Sequence, residues 1–295
     1  MAQRLRVHIE GIVQGVGFRP FIYQLAHRHR LHGYVANTPK GVEVEVEGSR
    51  QDLCQFLEEL PEFAPPLANI TRLETEVLPA AAYRIFEIKS SAEGEERSAL
   101  ISPDTETCAD CLGELFDPKN RRYLYPFINC TNCGPRYTII KDIPYDRRKT
   151  TMATFTMCGD CSREYHDPLN RRFHAQPNGC WVCGPRVWLA GAGGQDLGVA
   201  DPISAAALYL SEGAVVAVKG LGGFHLAVDA TRNEAVKRLR WRKRREEKPL
   251  AVMSASLAQI ERYALVGEEE RRLLRCPQRP IVIVPKKPVN AIAPR

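Results

Sequence analysis

Eight cysteines of this sequence form four Cys-x-x-Cys pairs, a spacing at which two thiolates can bind one metal ion. The paired residues are Cys108, Cys111, Cys130, Cys133, Cys158, Cys161, Cys180 and Cys183. Residues 112–129 separate the first two pairs and residues 162–179 separate the last two, so the spacing is the same. We therefore predict two structural Zn²⁺ ions, each bound by four cysteines. The sequence leaves open whether the ligands are local or swapped between the two sets, and redox-active dithiols are the alternative.

Residues 14–18 could form a loop that binds phosphate. They follow a predicted strand and lead into a predicted helix, and two glycines allow several backbone N–H groups to point towards one anion. The loop consists of Gln14, Gly15, Val16, Gly17 and Phe18. Arg19 follows in the first helical turn, where its planar guanidinium can bind two phosphate oxygens. A plain tight turn is the alternative, but strand, loop, helix and arginine in sequence favour phosphate binding.

Positive charge is concentrated in the last third of the chain. Lys219 precedes the glycine-rich turn 220–223, and arginine and lysine dominate residues 237–248. Clustered cations of this kind can bind a triphosphate, although a solvated helix face is the usual explanation of such a run. The sequence has no Gly-x-x-x-x-Gly-Lys-Ser/Thr motif, which excludes a P-loop nucleotide site.

Residues 1–92 have the pattern of a small α+β domain. Apolar and polar residues alternate at 5–9 and 42–47, as expected of strands, and the second of these is predicted to be half-buried. Helical spacing occupies 18–29 and 50–60, and further strands are expected at 34–36, 70–77 and 83–88. The order, β-α-β-β-α-β with one more strand, predicts a ferredoxin-like sheet with both helices on one face.

Residues 98–187 contain an internal repeat and little apolar periodicity. The stretch 117–123, Asp-Pro-Lys-Asn-Arg-Arg-Tyr, recurs at 167–173 as Asp-Pro-Leu-Asn-Arg-Arg-Phe, and Cys-Gly-Pro-Arg occurs at 133–136 and 183–186. A duplicated unit of this length without its own large core needs another source of stability, which bound zinc can supply.

Residues 200–295 are predicted to form an α/β domain. Helices are expected at 203–210, 233–244, 257–263 and 269–274, and strands at 214–218, 224–228, 250–253 and 281–284. The continuous apolar run 214–218 is typical of a buried strand. The pattern stops without a closing helix, so we expect the chain to be part of a longer protein, with a natural terminus as the alternative.

The bulk composition excludes several classes of protein. Of 295 residues, 44% are hydrophobic and 26% are charged, which is ordinary for a globular protein. No run of 18 apolar residues occurs, so we predict no membrane span. The net charge of +6 is too small to indicate a nucleic-acid-binding protein by itself. The first residues lack a signal-peptide pattern, which predicts a cytoplasmic protein.

The run 11–19, Gly-Ile-Val-Gln-Gly-Val-Gly-Phe-Arg, resembles the signature of acylphosphatases, and 33–37, Gly-Tyr-Val-Ala-Asn, resembles their second motif. The resemblance implies that Arg19 binds the phosphoryl group and that Asn37 orients the attacking water. On its own, Asn37 would be interpreted as a turn residue. Such a site needs no strong base, because positioning and charge stabilisation do most of the work of phosphoryl transfer.

The last segment resembles the YrdC family, which binds ATP and makes an acyl-adenylate. Lys243 and Arg245 fall on the Lys-x-Arg of that family, and Lys248 follows. The resemblance implies a nucleotide site formed by Lys219, Lys243, Arg245 and Lys248, with ATP, accompanied by Mg²⁺, as co-substrate. The YrdC family also binds RNA, but we do not expect RNA to be the ligand here.

The order of the three segments resembles the HypF family of carbamoyltransferases, which act in NiFe-hydrogenase maturation. The phrases at 125–136 and 172–177 are close to those of the family, and the resemblance covers essentially the whole chain. It implies hydrolysis of carbamoyl phosphate, ATP-dependent formation of carbamoyl-adenylate, and carbamoyl transfer to the C-terminal cysteine of the partner HypE. The remainder of the YrdC-like domain and the transferase domain are missing, which puts complete transfer in doubt. A stand-alone acylphosphatase and a zinc-containing RNA-binding protein are the alternatives.

Overall fold

The structure, a computed structural model, describes residues 2–91, 99–245 and 247–294. It divides into two compact units, residues 1–185 and 186–295. The first unit contains the predicted phosphate loop and all eight paired cysteines, and the second contains the predicted nucleotide-binding cations. Within the described ranges, every helix is too short or too polar to cross a bilayer.

The first unit begins with a five-stranded sheet and two helices. The elements are β1 Gln3–Ile12, α1 Phe18–Arg28, β2 His32–Asn37, β3 Val42–Gly48, α2 Arg50–Glu62, β4 Asn69–Leu78 and β5 Phe86–Ile88. The strand order is β4-β1-β3-β2-β5, with β5 parallel to β2 and the other neighbours antiparallel. This is the ferredoxin-like arrangement, and the prediction of the fold class is confirmed.

Strand β3 is buried on both faces, so the prediction of a half-buried strand is wrong. Val42, Val44 and Val46 pack into the core, as their alternation requires. On the opposite face, Glu45 is only 1% exposed and Glu47 only 7% exposed. The loop after β4 covers this face, because its backbone N–H groups and a tyrosine bind the two carboxylates. Alternating charge in the sequence does not distinguish such a covered face from a solvated one.

The rest of the first unit consists of two similar repeats, and each repeat contains two of the cysteine pairs. Each repeat starts with a short helix, α3 Ala109–Phe116 and α4 Gly159–His166, whose preceding residue is a cysteine. Between them lie two 3₁₀ turns, Arg147–Lys149 and Thr151–Thr154. Apolar burial is sparse here: a small cluster surrounds Tyr125 and the first cysteine set. This segment therefore needs a source of order other than apolar burial, and a metal ion bound by the cysteines can supply it.

The second unit contains four helices and a two-stranded sheet among its described residues. The elements are α5 Pro202–Ser211, β6 Val216–Lys219, β7 Phe224–Ala227, α6 Asn233–Lys243, α7 Leu257–Tyr263 and α8 Glu268–Arg275. Asp201 caps α5 by accepting hydrogen bonds from the N–H groups of Ile203 and Ser204. Strands β6 and β7 pair antiparallel.

Three predictions for this unit are wrong. The run 214–218 contributes to β6, but it is not a buried strand, since Val218 is 46% exposed. Residues 250–253 and 281–284 have no strand structure. An apolar run becomes a strand only when a neighbouring strand takes up its backbone hydrogen bonds, and the described part of this unit offers these two runs no such neighbour.

Candidate phosphate site and zinc centres

The loop 14–18 turns its backbone sharply at two glycines. Gly15 and Gly17 have φ angles of 75° and 77°, in the left-handed region that residues with a side chain avoid. Helix α1 begins immediately afterwards, so its free N–H groups and positive dipole end face the loop. Val16 and Phe18 are buried in the core and anchor the loop from below. Only the backbone of Val16 and Phe18 is therefore available to bind an anion at the predicted site.

Arg19 and Asn37 converge on one point, the backbone carbonyl oxygen of Tyr145. The Arg19 guanidinium and the Asn37 amide nitrogen each lie 3.3 Å from that oxygen and donate to it. Both side chains are buried, Arg19 at the start of α1 and Asn37 at the end of β2. Oδ1 of Asn37 has no hydrogen-bond partner in the described part of the chain. The two predicted site residues are thus brought together, with one acceptor left available.

The side chain of Gln14 forms hydrogen bonds to other segments of the chain and not within its own loop. Its amide nitrogen donates to the carbonyl oxygens of Thr38 and Gly41 at 2.8 and 2.7 Å. Its Oε1 accepts the N–H of Tyr145 at 2.8 Å. Gln14 therefore holds the loop, the turn after β2 and the Tyr145 segment in one arrangement.

The cysteine-rich segment forms one wall of the phosphate pocket, which sequence reasoning missed. The pocket-lining residues that this segment contributes are Thr131, Arg136, Tyr145, His174, Ala175 and Gln176. Burial, and then the charge of Arg19, lower the pKa of His174 to about 4, so its imidazole is neutral at pH 7. Five of these six residues lie in the two phrases that resemble the HypF family, and that resemblance was the one available signal.

Arg136 connects the phosphate loop to the first cysteine set. Its guanidinium donates to the carbonyl oxygen of Gly15 in the loop. It also donates to the carbonyl oxygens of Cys130 and Cys133 at 2.9 and 3.0 Å, and to two adjoining carbonyls. The side chain is 2% exposed. A buried cation held by carbonyl oxygens alone fixes the geometry of all the segments that supply them.

The eight paired cysteines gather into two compact clusters, one in each repeat, so ligand swapping between repeats is not observed. The sets are Cys108, Cys111, Cys130, Cys133 and Cys158, Cys161, Cys180, Cys183, with the sulfurs of each set within 4.8 Å of one another. Neighbouring sulfurs lie 3.5–3.8 Å apart. Thiolates bound tetrahedrally at ~2.3 Å to zinc would be about 3.8 Å apart, whereas disulfide sulfurs are separated by ~2.05 Å.

These clusters fit two structural zinc ions, as predicted. Hydrogen bonds with the neighbouring thiols Cys130 and Cys133 raise the pKa of Cys111, because four crowded thiols cannot all ionise without a cation. All four positions in each set are cysteine, so the site is closed and suits a structural role. Zinc would hold the repeat together here, and the neighbouring pocket is the candidate site for chemistry.

Arginines from each repeat bind the cysteine cluster of the other repeat. Arg171 donates to Sγ of Cys111 at 3.0 Å, and Arg121 donates to Sγ of Cys161 at 3.3 Å. Each arginine also pairs with a glutamate of the repeat that it contacts, Glu114 or Glu164. Four thiolates around Zn²⁺ carry a net charge of −2, which these cations offset. The duplicated Asn-Arg-Arg phrases therefore have reciprocal roles.

The predicted nucleotide-binding cations lie in two parts of the second unit: one at the end of β6, and the other three at or just after the end of α6. Lys219 ends β6, and its ammonium lies 4.7 Å from the ring centre of Phe224. Lys243 ends α6 and is exposed, as is Lys248. Arg245 donates to the carbonyl oxygen of Pro249 at 2.9 Å. No hydrogen bond or ion pair in the described ranges links Lys219 to the other three, so their common site stays a prediction.

The three segments match three family models. The matches are Acylphosphatase at residues 5–88, HypF finger at 107–140 and 157–190, and the Sua5/YciO/YrdC model, described as Telomere recombination, at 208–295. Together with the pocket and the two thiolate clusters, they define a class: an acylphosphatase domain followed by duplicated zinc fingers and a YrdC-like domain. The chain belongs to the HypF family of carbamoyltransferases.

Full-length members of this family are clearly similar to the chain. It is 51% identical over 288 residues to carbamoyltransferase HypF2 of Cupriavidus necator, covering 96% of the chain and 35% of the relative. Carbamoyltransferase HypF of Synechocystis sp. is likewise 51% identical over 288 residues, with 97% and 37% covered. A crystal structure of full-length HypF in a phosphate- and nucleotide-bound form matches with a TM-score of 0.93 and 47% identity, over 100% of this chain and 39% of that one. The chain thus spans little more than a third of the length of these relatives.

Proposed function

We propose that the first unit hydrolyses carbamoyl phosphate to carbamate and phosphate. The observation that carries the proposal is the convergence of Arg19 and Asn37 at one pocket beside the turned N–H groups of loop 14–18. A guanidinium and several N–H groups can bind three phosphoryl oxygens, while Oδ1 of Asn37 is available to hold a water.

The proposed reaction needs no covalent enzyme intermediate. The oxygen of the water forms a bond to phosphorus, and the bond between phosphorus and the acyl oxygen breaks. Carbamate leaves with the bonding electrons, and the proton lost by the water passes to the phosphate product. Oδ1 of Asn37, a buried acceptor without a partner among the described residues, would orient the water by accepting one of its hydrogens.

The second unit would then use the carbamate. In our proposal, carbamate and ATP give carbamoyl-adenylate and pyrophosphate, with Mg²⁺ and the cations Lys219, Lys243, Arg245 and Lys248 offsetting the triphosphate charge. The matched crystal structure of full-length HypF is in a phosphate- and nucleotide-bound form, which supports phosphate and a nucleotide as ligands. In the full-length proteins the carbamoyl group would pass to the C-terminal cysteine of HypE, releasing AMP, in the cytoplasm, for the cyanide ligands of NiFe-hydrogenase.

Phosphate release from carbamoyl phosphate tests the first step. Arg19→Ala should lower kcat/KM by about 10²–10³-fold, the usual loss when one charge-stabilising donor is removed. Arg28→Ala is the matched control, because Arg28 lies on the same helix but pairs with Glu59 at the surface. Equal release by the wild type and Arg19→Ala would overturn the proposal. Carbamoyl-phosphate-dependent exchange between ATP and pyrophosphate tests the second step.

A further inference from the structure

The segment Tyr145–Asp146 lies directly over the predicted phosphate cradle. The Asp146 carboxylate lies 2.9 Å from the guanidinium of Arg19, and the Tyr145 carbonyl accepts from Arg19 and Asn37. A carboxylate and a carbonyl therefore face the donors that are expected to bind phosphate. Neither acceptor has a role in the hydrolysis described above, and both come from the cysteine-rich segment.

This segment is fixed at each of three consecutive residues. The N–H of Tyr145 donates to Gln14, and the N–H of Arg147 donates to Oε1 of Gln176 at 2.7 Å. The second carboxylate oxygen of Asp146 accepts the hydroxyl hydrogen of Ser91. These three anchors would hold the two acceptors beside Arg19 when a phosphoryl group replaces them on its guanidinium.

The pocket thus has two walls of opposite polarity. One side donates, through the loop N–H groups, Arg19 and Asn37. The other side accepts, through the carbonyl of Tyr145, which lines the pocket, and through the Asp146 carboxylate, which pairs with Arg19 next to it. Carbamoyl phosphate has matching ends, because its phosphoryl oxygens accept and its amide nitrogen donates two hydrogens. Acetyl phosphate has a methyl group in place of the amide. With acetyl phosphate, the partly buried Asp146 carboxylate and the Tyr145 carbonyl would each lose the hydrogen bond from Arg19 without gaining one from the substrate.

We infer that Asp146, together with the carbonyl of Tyr145, is a specificity-determining residue that selects acyl phosphates whose acyl group carries an N–H donor. The inference rests on the proposed hydrolysis and specifies its substrate class. A site built to accept hydrogen bonds from a substrate amide discriminates strongly against the analogue that lacks it, because the acceptors of the site are then desolvated without compensation. The phosphoryl group alone supplies no such selection.

The test compares kcat/KM for carbamoyl phosphate and for acetyl phosphate in the whole chain with zinc bound. The wild type should prefer carbamoyl phosphate, and Asp146→Ala should lower that preference by about 10-fold or more, with acetyl phosphate turned over better than by the wild type. Asp146→Asn keeps the shape and an acceptor oxygen but loses the charge, so the preference should fall by less. Asp142→Ala is the control, since Asp142 lies in the same segment and pairs with Lys149.

A parallel change for both substrates in Asp146→Ala would mean that the carboxylate only positions Arg19, and it would overturn the inference. If Asp146→Ala does not fold, an unchanged substrate preference in Asp146→Asn has the same consequence. Absence of carbamoyl phosphate hydrolysis by the wild type would instead overturn the proposed function, and the two failures are therefore distinguishable.

Discussion

Arg171 donates a hydrogen bond of 3.0 Å to the sulfur of Cys111, although the two residues belong to different repeats. The reverse contact, from Arg121 to Cys161, has a length of 3.3 Å. Each cysteine cluster therefore receives a cation from the other repeat, so the surroundings of each cluster depend on both repeats. A single repeat would retain its four ligands but lose the cation beside them.

Replacement of Arg171 by glutamine should weaken zinc binding at the first cluster, not at the cluster of its own repeat. Loss of a residue that bonds directly to a metal ligand typically lowers metal affinity by about 10–100-fold. Alkylation of thiols during challenge with a chelator, followed by peptide mass spectrometry, would identify which cysteines are released first. Cys111 should react early in Arg171→Gln, and Cys161 should react early in Arg121→Gln.

Arg163→Gln is the control for this experiment, because Arg163 lies in the second repeat but pairs with Asp160 at the surface. It should leave both alkylation rates unchanged. Early labelling of Cys158 and Cys161 in Arg171→Gln would contradict the reciprocal arrangement.

Glu45 should make the stability of the first unit depend on pH. Burial alone would raise the pKa of its carboxyl, but hydrogen bonds from Tyr83, Arg4 and Arg6 lower it from 4.5 to about 2. Because the folded-state pKa is lowered, the stabilisation is complete above pH 4.5 and is lost as the pH falls towards 2. The contribution is on the order of 3 kcal/mol.

Urea unfolding at several pH values measures this effect. Glu45→Gln should be less stable than the wild type at neutral pH, and the difference in unfolding free energy should shrink steadily below pH ~4.5. Glu87→Gln, at an exposed position of β5, should follow the wild type at every pH. A gap between wild type and Glu45→Gln that is as large at pH ~2.5 as at pH 7 would show that the carboxylate charge is not the cause.

Local spacing predicted the parts of the site that lie close together in the sequence. The four ligands of each zinc cluster, the glycine loop and Arg19 are defined by short intervals, and the resemblance to acylphosphatases added Asn37. The contacts of Tyr145 and Arg136 could not be found in this way, although the repeated Cys-Gly-Pro-Arg phrase includes Arg136. Both residues reach the cradle from more than a hundred residues away, and no local spacing shows such a long-range contact.

The errors in the second unit have a related cause. The runs 250–253 and 281–284 are apolar, and the second, Ile-Val-Ile-Val, consists of residues that favour strands. Strand formation nevertheless depends on a partner that supplies the other half of each hydrogen bond. Helices close their hydrogen bonds within one segment, and the four predicted helices of this unit are all present. The local sequence pattern therefore predicts helices such as α6 and α7 more reliably than it predicts whether 250–253 or 281–284 forms a strand.

Gln14 should affect hydrolysis by holding the pocket together, not by binding phosphate. Gln14→Ala would leave the N–H of Tyr145 without its buried partner, at a cost on the order of 1–3 kcal/mol. It would also remove one of the two hydrogen bonds at each of the carbonyl oxygens of Thr38 and Gly41, which keep their backbone partners. We expect lower stability towards urea and a loss of kcat/KM with unchanged zinc content. Gln14→Glu retains the oxygen that accepts from Tyr145 and should lose less activity. Full activity in Gln14→Ala would show that the Tyr145 segment needs no such anchor.

Arg136 should transmit the order of the first zinc cluster to the phosphate loop. Its planar guanidinium reaches Gly15 and the carbonyls of Cys130 and Cys133 at once, which a lysine ammonium cannot do. Arg136→Lys should therefore keep the charge but release Gly15, and a small displacement of a phosphate-binding loop can cost up to about 10²-fold in kcat/KM.

The repeat supplies a matched control for Arg136. Arg186 occupies the same place in the second Cys-Gly-Pro-Arg phrase and is exposed, so Arg186→Lys should retain wild-type hydrolysis of carbamoyl phosphate. Zinc content should remain at two ions in both variants, because no cysteine is changed. Equal activity of the two variants would show that the loop keeps its shape without Arg136. A loss confined to Arg136→Lys, with zinc retained, would establish that the finger positions the cradle, since the charge and the metal would both be unchanged.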